Sequence, residues 1–162
     1  MDVAPAPAHA PTGTVAGDRI GRFLLLVLQA FVAVTAAAGG VALILGSVDA
    51  SSSSAVVPPV EYLDGSPFGS YAIPGVVLAL VLGGTHAVAF VALLRRVRWA
   101  ALAATVAGYT ALIWIFVQMM VIPFSVLQAV YFGIGLAEVG LVLLALGVFG
   151  AAGPGSGAWR TD

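Results

Sequence analysis

Four long apolar runs limit what this chain can fold into more than any other feature of its sequence. They cover about residues 20–46, 73–94, 99–122 and 124–149. A helix needs about 20 apolar residues to cross a hydrocarbon core about 30 Å thick, so each run is long enough for one crossing. Helices are expected because a lone strand in lipid leaves its backbone groups without partners. The sequence therefore predicts an all-α polytopic membrane protein, an antiparallel bundle of four transmembrane helices.

The composition favours this class and excludes several others. Hydrophobic residues make up 61% of the chain and charged residues 8%, whereas soluble domains are about 45–50% apolar and about a quarter charged. A net charge of −1 offers no basic surface to nucleic acid. The absence of cysteine excludes disulfides, cysteine zinc sites and iron–sulfur clusters. With two histidines far apart in the sequence, we expect neither a metal site nor a cofactor.

The basic residues predict the orientation of the helices. All six are arginines, and they lie before the first run, between the second and third, and after the fourth: Arg19, Arg22, Arg95, Arg96, Arg98 and Arg160. The positive-inside rule then places both termini in the cytoplasm. The preference for Arg over Lys, in a chain rich in Ala, Val, Leu and Gly, is typical of a GC-rich bacterium, so we expect a bacterial plasma membrane.

This orientation divides the chain into segments. Residues 1–18 and 150–162 are predicted to be flexible cytoplasmic tails around a transmembrane domain at 19–149, with an outer loop at 47–72. A cleaved signal peptide is an alternative interpretation of the first run, because Ala36–Ala38 would suit a cleavage site. The apolar stretch continues beyond those alanines to Leu45, which is too long for a signal core and favours a membrane span.

One acidic residue inside a span gives the main candidate site. Placing Glu138 near a bilayer centre costs about 2.5–3.5 kcal/mol, so its side chain is expected to face the bundle interior and to have a partner. We estimate the depth of each polar residue at about 1.5 Å per residue from the nearest arginine or span end. Each of the other three helices then has a polar side chain at a depth similar to that of Glu138. The predicted polar layer therefore contains Gln29, His86, Tyr109 or Thr110, and Glu138.

Helical spacing also predicts which faces meet inside the bundle. Residues three or four apart share one face of a helix. In the fourth run this face carries Gln128, Tyr131, Gly135 and Glu138, whereas in the third it carries Thr110, Trp114 and Gln118. The corresponding faces of the first two runs contain small residues, which allow close helix approach in a membrane.

The outer loop contains a second candidate surface. Residues 58–75 hold turn signals at Asp64–Pro67 and aromatic side chains that suit a membrane interface. Two interpretations stay open, an ordered cap on the bundle and a lid or docking surface over an outer cavity. The candidate residues are Tyr62, Asp64, Phe68 and Tyr71.

The same region carries a resemblance to a known group of proteins. The motif Leu63-Asp64-Gly65-Ser66-Pro67-Phe68, followed by Ile73-Pro74-Gly75 and Gly83-Gly84, resembles a pattern in uncharacterised four-helix integral membrane proteins of GC-rich bacteria. The resemblance covers about residues 60–96. It implies the four-helix topology and no activity.

The sequence contains none of the common catalytic motifs. It lacks a phosphate-binding loop, a dinucleotide fingerprint, a His-Glu-x-x-His motif and a Ser–His–Asp set. We therefore expect a non-enzymatic protein of the lipid bilayer that packs with itself or with a membrane-protein partner, with the polar layer as a helix clasp. One alternative is a small proton-coupled transporter or solute-binding protein centred on Glu138 and His86. Another is a lipid-binding protein whose outer loop and cavity accept an acyl chain.

Overall fold

The computed structural model describes residues 14–48 and 57–147, with side chains from residue 19 onward in the first segment. Four helices are long and apolar enough to cross a membrane. We label them α1 (Thr14–Val48), α2 (Ala72–Leu94), α3 (Ala100–Val121) and α4 (Val126–Ala145). A 3₁₀ turn at Val60–Leu63 precedes α2, which contains a π-helical stretch at Leu78–Gly83. The predicted all-helical fold with four long apolar helices is confirmed.

The two largest differences between the observed and predicted helix ends are at the start of α1 and the end of α4. α1 begins at Thr14, within the segment predicted as a tail. α4 ends at Ala145 rather than at 149, because Gly147 adopts a left-handed φ of 69° and its N–H bonds back to the carbonyl of Leu144. Residues 1–13, 49–56 and 148–162 lie outside the described residues, and with them most of both predicted tails, part of the outer loop, and Arg160.

The end of α2 is capped by hydrogen bonds from the α2–α3 connection and from a side chain of α1. Arg96 takes a left-handed φ of 53°, and the N–H of Val97 bonds to the carbonyl of Ala92, the pattern of a Schellman cap. From the start of α1, the Arg22 guanidinium donates to the carbonyl of Leu93 at 2.8 and 3.2 Å. The first turns of α1 thus lie beside the last turn of α2.

The start of α4 is fixed by a capping box that the sequence analysis missed. The hydroxyl of Ser125 accepts from the N–H of Gln128 at 3.3 Å, and the Gln128 side chain accepts from the N–H of Ser125 at 2.9 Å. The signal was the spacing Ser-x-x-Gln just before an apolar run. This reciprocal pair explains why Gln128 is buried although it lies at a helix end.

Glycines allow the helices to approach closely at two crossings. A Cβ atom built on Gly75 of α2 would lie 2.7 Å from the carbonyl oxygen of Gly40 of α1. A Cβ on Gly108 of α3 would lie 2.9 Å from Val139 of α4, and Gly135 of α4 is similarly crowded. Backbone contact of this kind is typical of membrane helices, whose association depends on close packing.

These crossings make a direct prediction. In Gly40→Ala, the new methyl group would collide with the backbone of Gly75 and with Ala79. We expect a loss of about 1–3 kcal/mol in the free energy of unfolding, the usual cost of overpacking. Gly84→Ala is the matched control, because nothing lies within 4 Å of its Cβ position. It should be neutral or stabilising by about 0.5–1 kcal/mol. Equal effects of the two substitutions on thermal unfolding in detergent would contradict this crossing.

Candidate functional site

The candidate site is centred on a contact between His86 of α2 and Glu138 of α4. The Nε2 atom of His86 lies 3.2 Å from Oε2 of Glu138, and both side chains are completely buried. Their similar depth along the two helices predicts that these residues meet, and the structure brings them together. Their contact joins two helices through residues that are 52 positions apart in the sequence.

The second ring nitrogen of His86, Nδ1, limits the hydrogen bonds that Nε2 can make with Glu138. Nδ1 is 2.8 Å from the carbonyl oxygen of Leu82, which can only accept a hydrogen bond, so Nδ1 carries a proton. Nε2 then either donates to an ionised Glu138 or accepts from its protonated carboxyl group. In both cases a single proton lies between Nε2 and Oε2, and the pair has no net charge.

Two hydrophobic clusters show that Gln29 of α1 lies at the level of this pair. Leu25 and Val142 belong to one cluster, whereas Val32 packs with Ile134 in the other. Gln29 lies about one helical turn from both α1 members, and Glu138 about one turn from both α4 members. His86 is likewise placed between members of the two clusters, Leu82 and Ala92. The observed polar layer therefore consists of Gln29, His86 and Glu138.

Three atoms of the polar layer have no hydrogen-bond partner in the described part of the protein. They are Oε1 and Nε2 of Gln29 and Oε1 of Glu138. Gln29 is completely buried, as is Glu138. Buried polar side-chain atoms in proteins nearly always have a partner, so three in one layer require an explanation.

The structure does not bring Tyr109 or Thr110 into the polar layer. Tyr109 is 52% exposed, and the hydroxyl of Thr110 bonds to the carbonyl of Val106 in its own helix at 2.7 Å. α3 instead presents Ala107 and Gly108, and a Cβ on Gly108 would lie 3.4 Å from the Cβ of Glu138.

The predicted interior face of α3 is only partly right, since Trp114 packs against the hydrophobic cluster that contains Leu82 and Ala111. Trp114 and Gln118 are only partly buried, because small residues allow a closer approach of α3 to its neighbours than bulky polar ones would. The alanine and glycine stripe that could have indicated this face is Ala100, Ala104, Ala107, Gly108 and Ala111.

The outer-loop candidates divide into anchored and exposed residues. Tyr71 is buried, and its hydroxyl donates to the carbonyl of Pro59 at 3.0 Å, which fastens the 3₁₀ turn to the start of α2. Burial raises the pKa of Tyr71 above its usual value near 10, and the neighbouring Tyr62 and Glu61 add to this rise. Phe68 is partly buried, whereas Tyr62 and Asp64 are exposed.

Metal binding and known relatives give no further assignment for the site. Among the described residues, no group of three or more His, Cys, Asp or Glu side chains could hold a metal ion. No protein-family model, curated protein or solved structure matches the chain. The resemblance of residues 60–96 to four-helix membrane proteins therefore stays a prediction.

The geometry of the pair predicts a strong dependence of each partner on the other. His86→Leu leaves the Glu138 carboxyl group buried without its partner, which should lower the free energy of unfolding by about 3–5 kcal/mol. The double variant His86→Leu with Glu138→Leu should be clearly more stable than the His86→Leu variant, because no polar group of the pair is then orphaned. Thermal unfolding of His86→Leu, Glu138→Leu and the double variant in one detergent measures the coupling energy between the two residues. Additive effects would contradict a direct contact.

Proposed function

We propose that this protein is a non-enzymatic multi-pass integral membrane protein whose four helices form an antiparallel bundle, held in register by the contact between His86 and Glu138. The observation that carries the proposal is this buried polar pair within four apolar helices. We further propose that the protein lies in a bacterial plasma membrane with both termini in the cytoplasm. It packs there with itself or with another membrane protein.

The distribution of side chains supports insertion into lipid. Within the four apolar spans, only 22–33% of residues in the most apolar stretch of each are buried, so most side chains there are at least partly exposed. Phe23, Leu80 and Met120 are 65%, 70% and 75% exposed. Apolar patches of this extent are rare on soluble monomers and mark membrane or protein contact surfaces.

Contacts between neighbouring helices support the antiparallel arrangement. Arg22 near the start of α1 reaches Leu93 at the end of α2, whereas Gly40 near the end of α1 crosses Gly75 near the start of α2. The α2–α3 and α3–α4 connections are short, which favours antiparallel neighbours. Because Arg95, Arg96 and Arg98 lie in the α2–α3 connection, beside the start of α1, this end of the bundle is assigned to the cytoplasm.

An apolar groove on the side of the helices is suited to lipid or protein contact. It has a volume of about 500 Å³ and lies between α1 and α4, with Leu28, Ala137 and Gly140 among its lining residues. An acyl chain or the side chains of a neighbouring helix would fill it by van der Waals contact, the main attraction available inside lipid.

The orientation can be tested with reporters. A reporter fused after Asp162 should be active only when it folds in the cytoplasm, and one inserted near Ser52 only when it folds outside. The reason is the position of the arginines at one end of the bundle. The measurement is the activity of a paired set of cytoplasmic and external reporters at each site. An external C-terminus would overturn the four-span orientation.

A second candidate function rests on the single proton of the pair. An ionisable residue inside a membrane span often marks a proton or substrate path. Glu138 and His86 share one proton, and Oε1 of Glu138 has no protein partner among the described residues. These features suit a small proton-coupled transporter or solute-binding protein in which Glu138 gains and loses a proton during each cycle.

Glu138→Gln separates the two candidates. The amide of glutamine can still donate to Nε2 of His86, but it carries no exchangeable acidic proton. If the pair is only a clasp, the free energy of unfolding in detergent should stay within about 0.5 kcal/mol of the wild-type value. The oligomeric state should also be unchanged. If the pair carries protons, the fold should survive and pH-driven solute flux in reconstituted vesicles should be lost.

Thermal stability and solute flux are measured on the same preparations. The control variant is Gln118→Glu, which adds an acid to the partly buried face of α3. We expect the clasp result. Wild-type flux that disappears in Glu138→Gln would overturn it in favour of the transporter. Unfolding of the conservative Glu138→Gln variant would exclude an interchangeable hydrogen-bonded clasp.

A further inference from the structure

We propose that the polar layer is a water-binding site, in which at least one water molecule bridges Gln29 of α1 to Glu138 of α4. The site extends the two-helix contact of His86 and Glu138 to a third helix. It rests on the pair described under the proposed function, and it adds a bound molecule and a residue, Gln29, that the clasp itself does not use.

The hydrogen-bonding requirements of the unpartnered atoms identify the ligand. Oε1 of Glu138 is an acceptor in both protonation states, because the shared proton lies on Oε2 or on Nε2 of His86. Oε1 of Gln29 is also an acceptor, and Nε2 of Gln29 is a donor. A single molecule that contacts all three atoms must therefore supply two donors and accept at least one hydrogen bond.

Water is the smallest molecule that meets these requirements. It donates two hydrogen bonds and accepts two, whereas an alcohol donates only one. An ammonium ion accepts none and would leave the Gln29 amide without a partner. Buried waters in proteins typically make about three hydrogen bonds to otherwise unsatisfied polar groups, which is the number of unpartnered atoms in this layer.

α3 packs closely against α4 beside Glu138 and contributes no polar side chain to the layer. Gly108 faces the Glu138 Cβ without a side chain of its own, and Ala107 is the neighbouring buried residue on α3. Tyr109 is exposed and the Thr110 hydroxyl bonds within its own helix, so neither supplies a hydroxyl group to the layer. α3 therefore supplies no hydrogen-bond partner for the unpartnered atoms of Gln29 and Glu138.

Glutamine labelling makes the site directly observable. The chain has three glutamines, Gln29, Gln118 and Gln128, so a ¹⁵N-glutamine sample in liposomes gives three side-chain amide signals. In water-edited solid-state NMR, we expect the completely buried Gln29 amide to receive magnetisation from water, as the partly exposed Gln118 does. Glu138 and Glu61 are the two glutamates of the chain, and carbon labelling should show the same transfer to the Glu138 carboxyl group.

The two proposals fail in different ways. If neither Gln29 nor Glu138 receives magnetisation from water, the water site is overturned, even when a His86–Glu138 cross-peak confirms the clasp. A missing His86–Glu138 cross-peak contradicts the clasp instead. A direct cross-peak between Gln29 and Glu138 without water transfer would identify a dry hydrogen bond and also overturn the water site.

Substitution of Gln29 gives a second readout with opposite signs for the two cases. In a dry layer, Gln29→Leu removes unpaired polar atoms and should raise the melting temperature. With a bridging water, the same change deprives the water and Glu138 of partners, and the melting temperature should fall by about 2–4 °C. Gln118→Leu is the matched control and should change it little. A rise for Gln29→Leu would overturn the proposal.

Discussion

The buried contact between His86 and Glu138 is the interaction to which the rest of the structure is adapted. A carboxyl group surrounded by apolar side chains is costly unless a hydrogen-bonded partner compensates it. The partner comes from a distant part of the chain, so α2 and α4, which pack mainly against the other two helices, must present their polar side chains to each other at one level. His86 is in turn oriented by the carbonyl of Leu82, which fixes the proton on Nδ1 and leaves Nε2 for the carboxyl group.

Small residues allow the helices to pack closely around this contact. Gly40 and Gly75 bring the backbones of α1 and α2 into contact, and Gly108 brings α3 against α4 beside Glu138. Hydrophobic attraction between helices is weak in lipid, so close packing and a few polar contacts decide how membrane helices associate. Two hydrophobic clusters, one on each side of the polar layer, complete the interior.

Particular residues show how far the sequence could predict this site. The depth of Glu138 and His86 followed from counting residues along a helix of known rise, and the structure places them in contact. Tyr109 and Thr110 lie at a matching depth, but Tyr109 is exposed and the Thr110 hydroxyl bonds within its own helix. Depth is a one-dimensional quantity, whereas the rotation of a helix about its axis depends on which face packs best against its neighbours.

The sequence by itself determined the number of helices, their approximate limits and the isolation of one acid among apolar residues, because these properties depend on local composition and on the length of each run. The tertiary structure alone decided the rotation of α3, the glycine crossings and the set of polar atoms without protein partners. Each of these depends on contacts between residues far apart in the chain. A residue's own helix, for example, supplies a partner for the hydroxyl of Thr110, but only a neighbouring helix can supply one for Oε2 of Glu138.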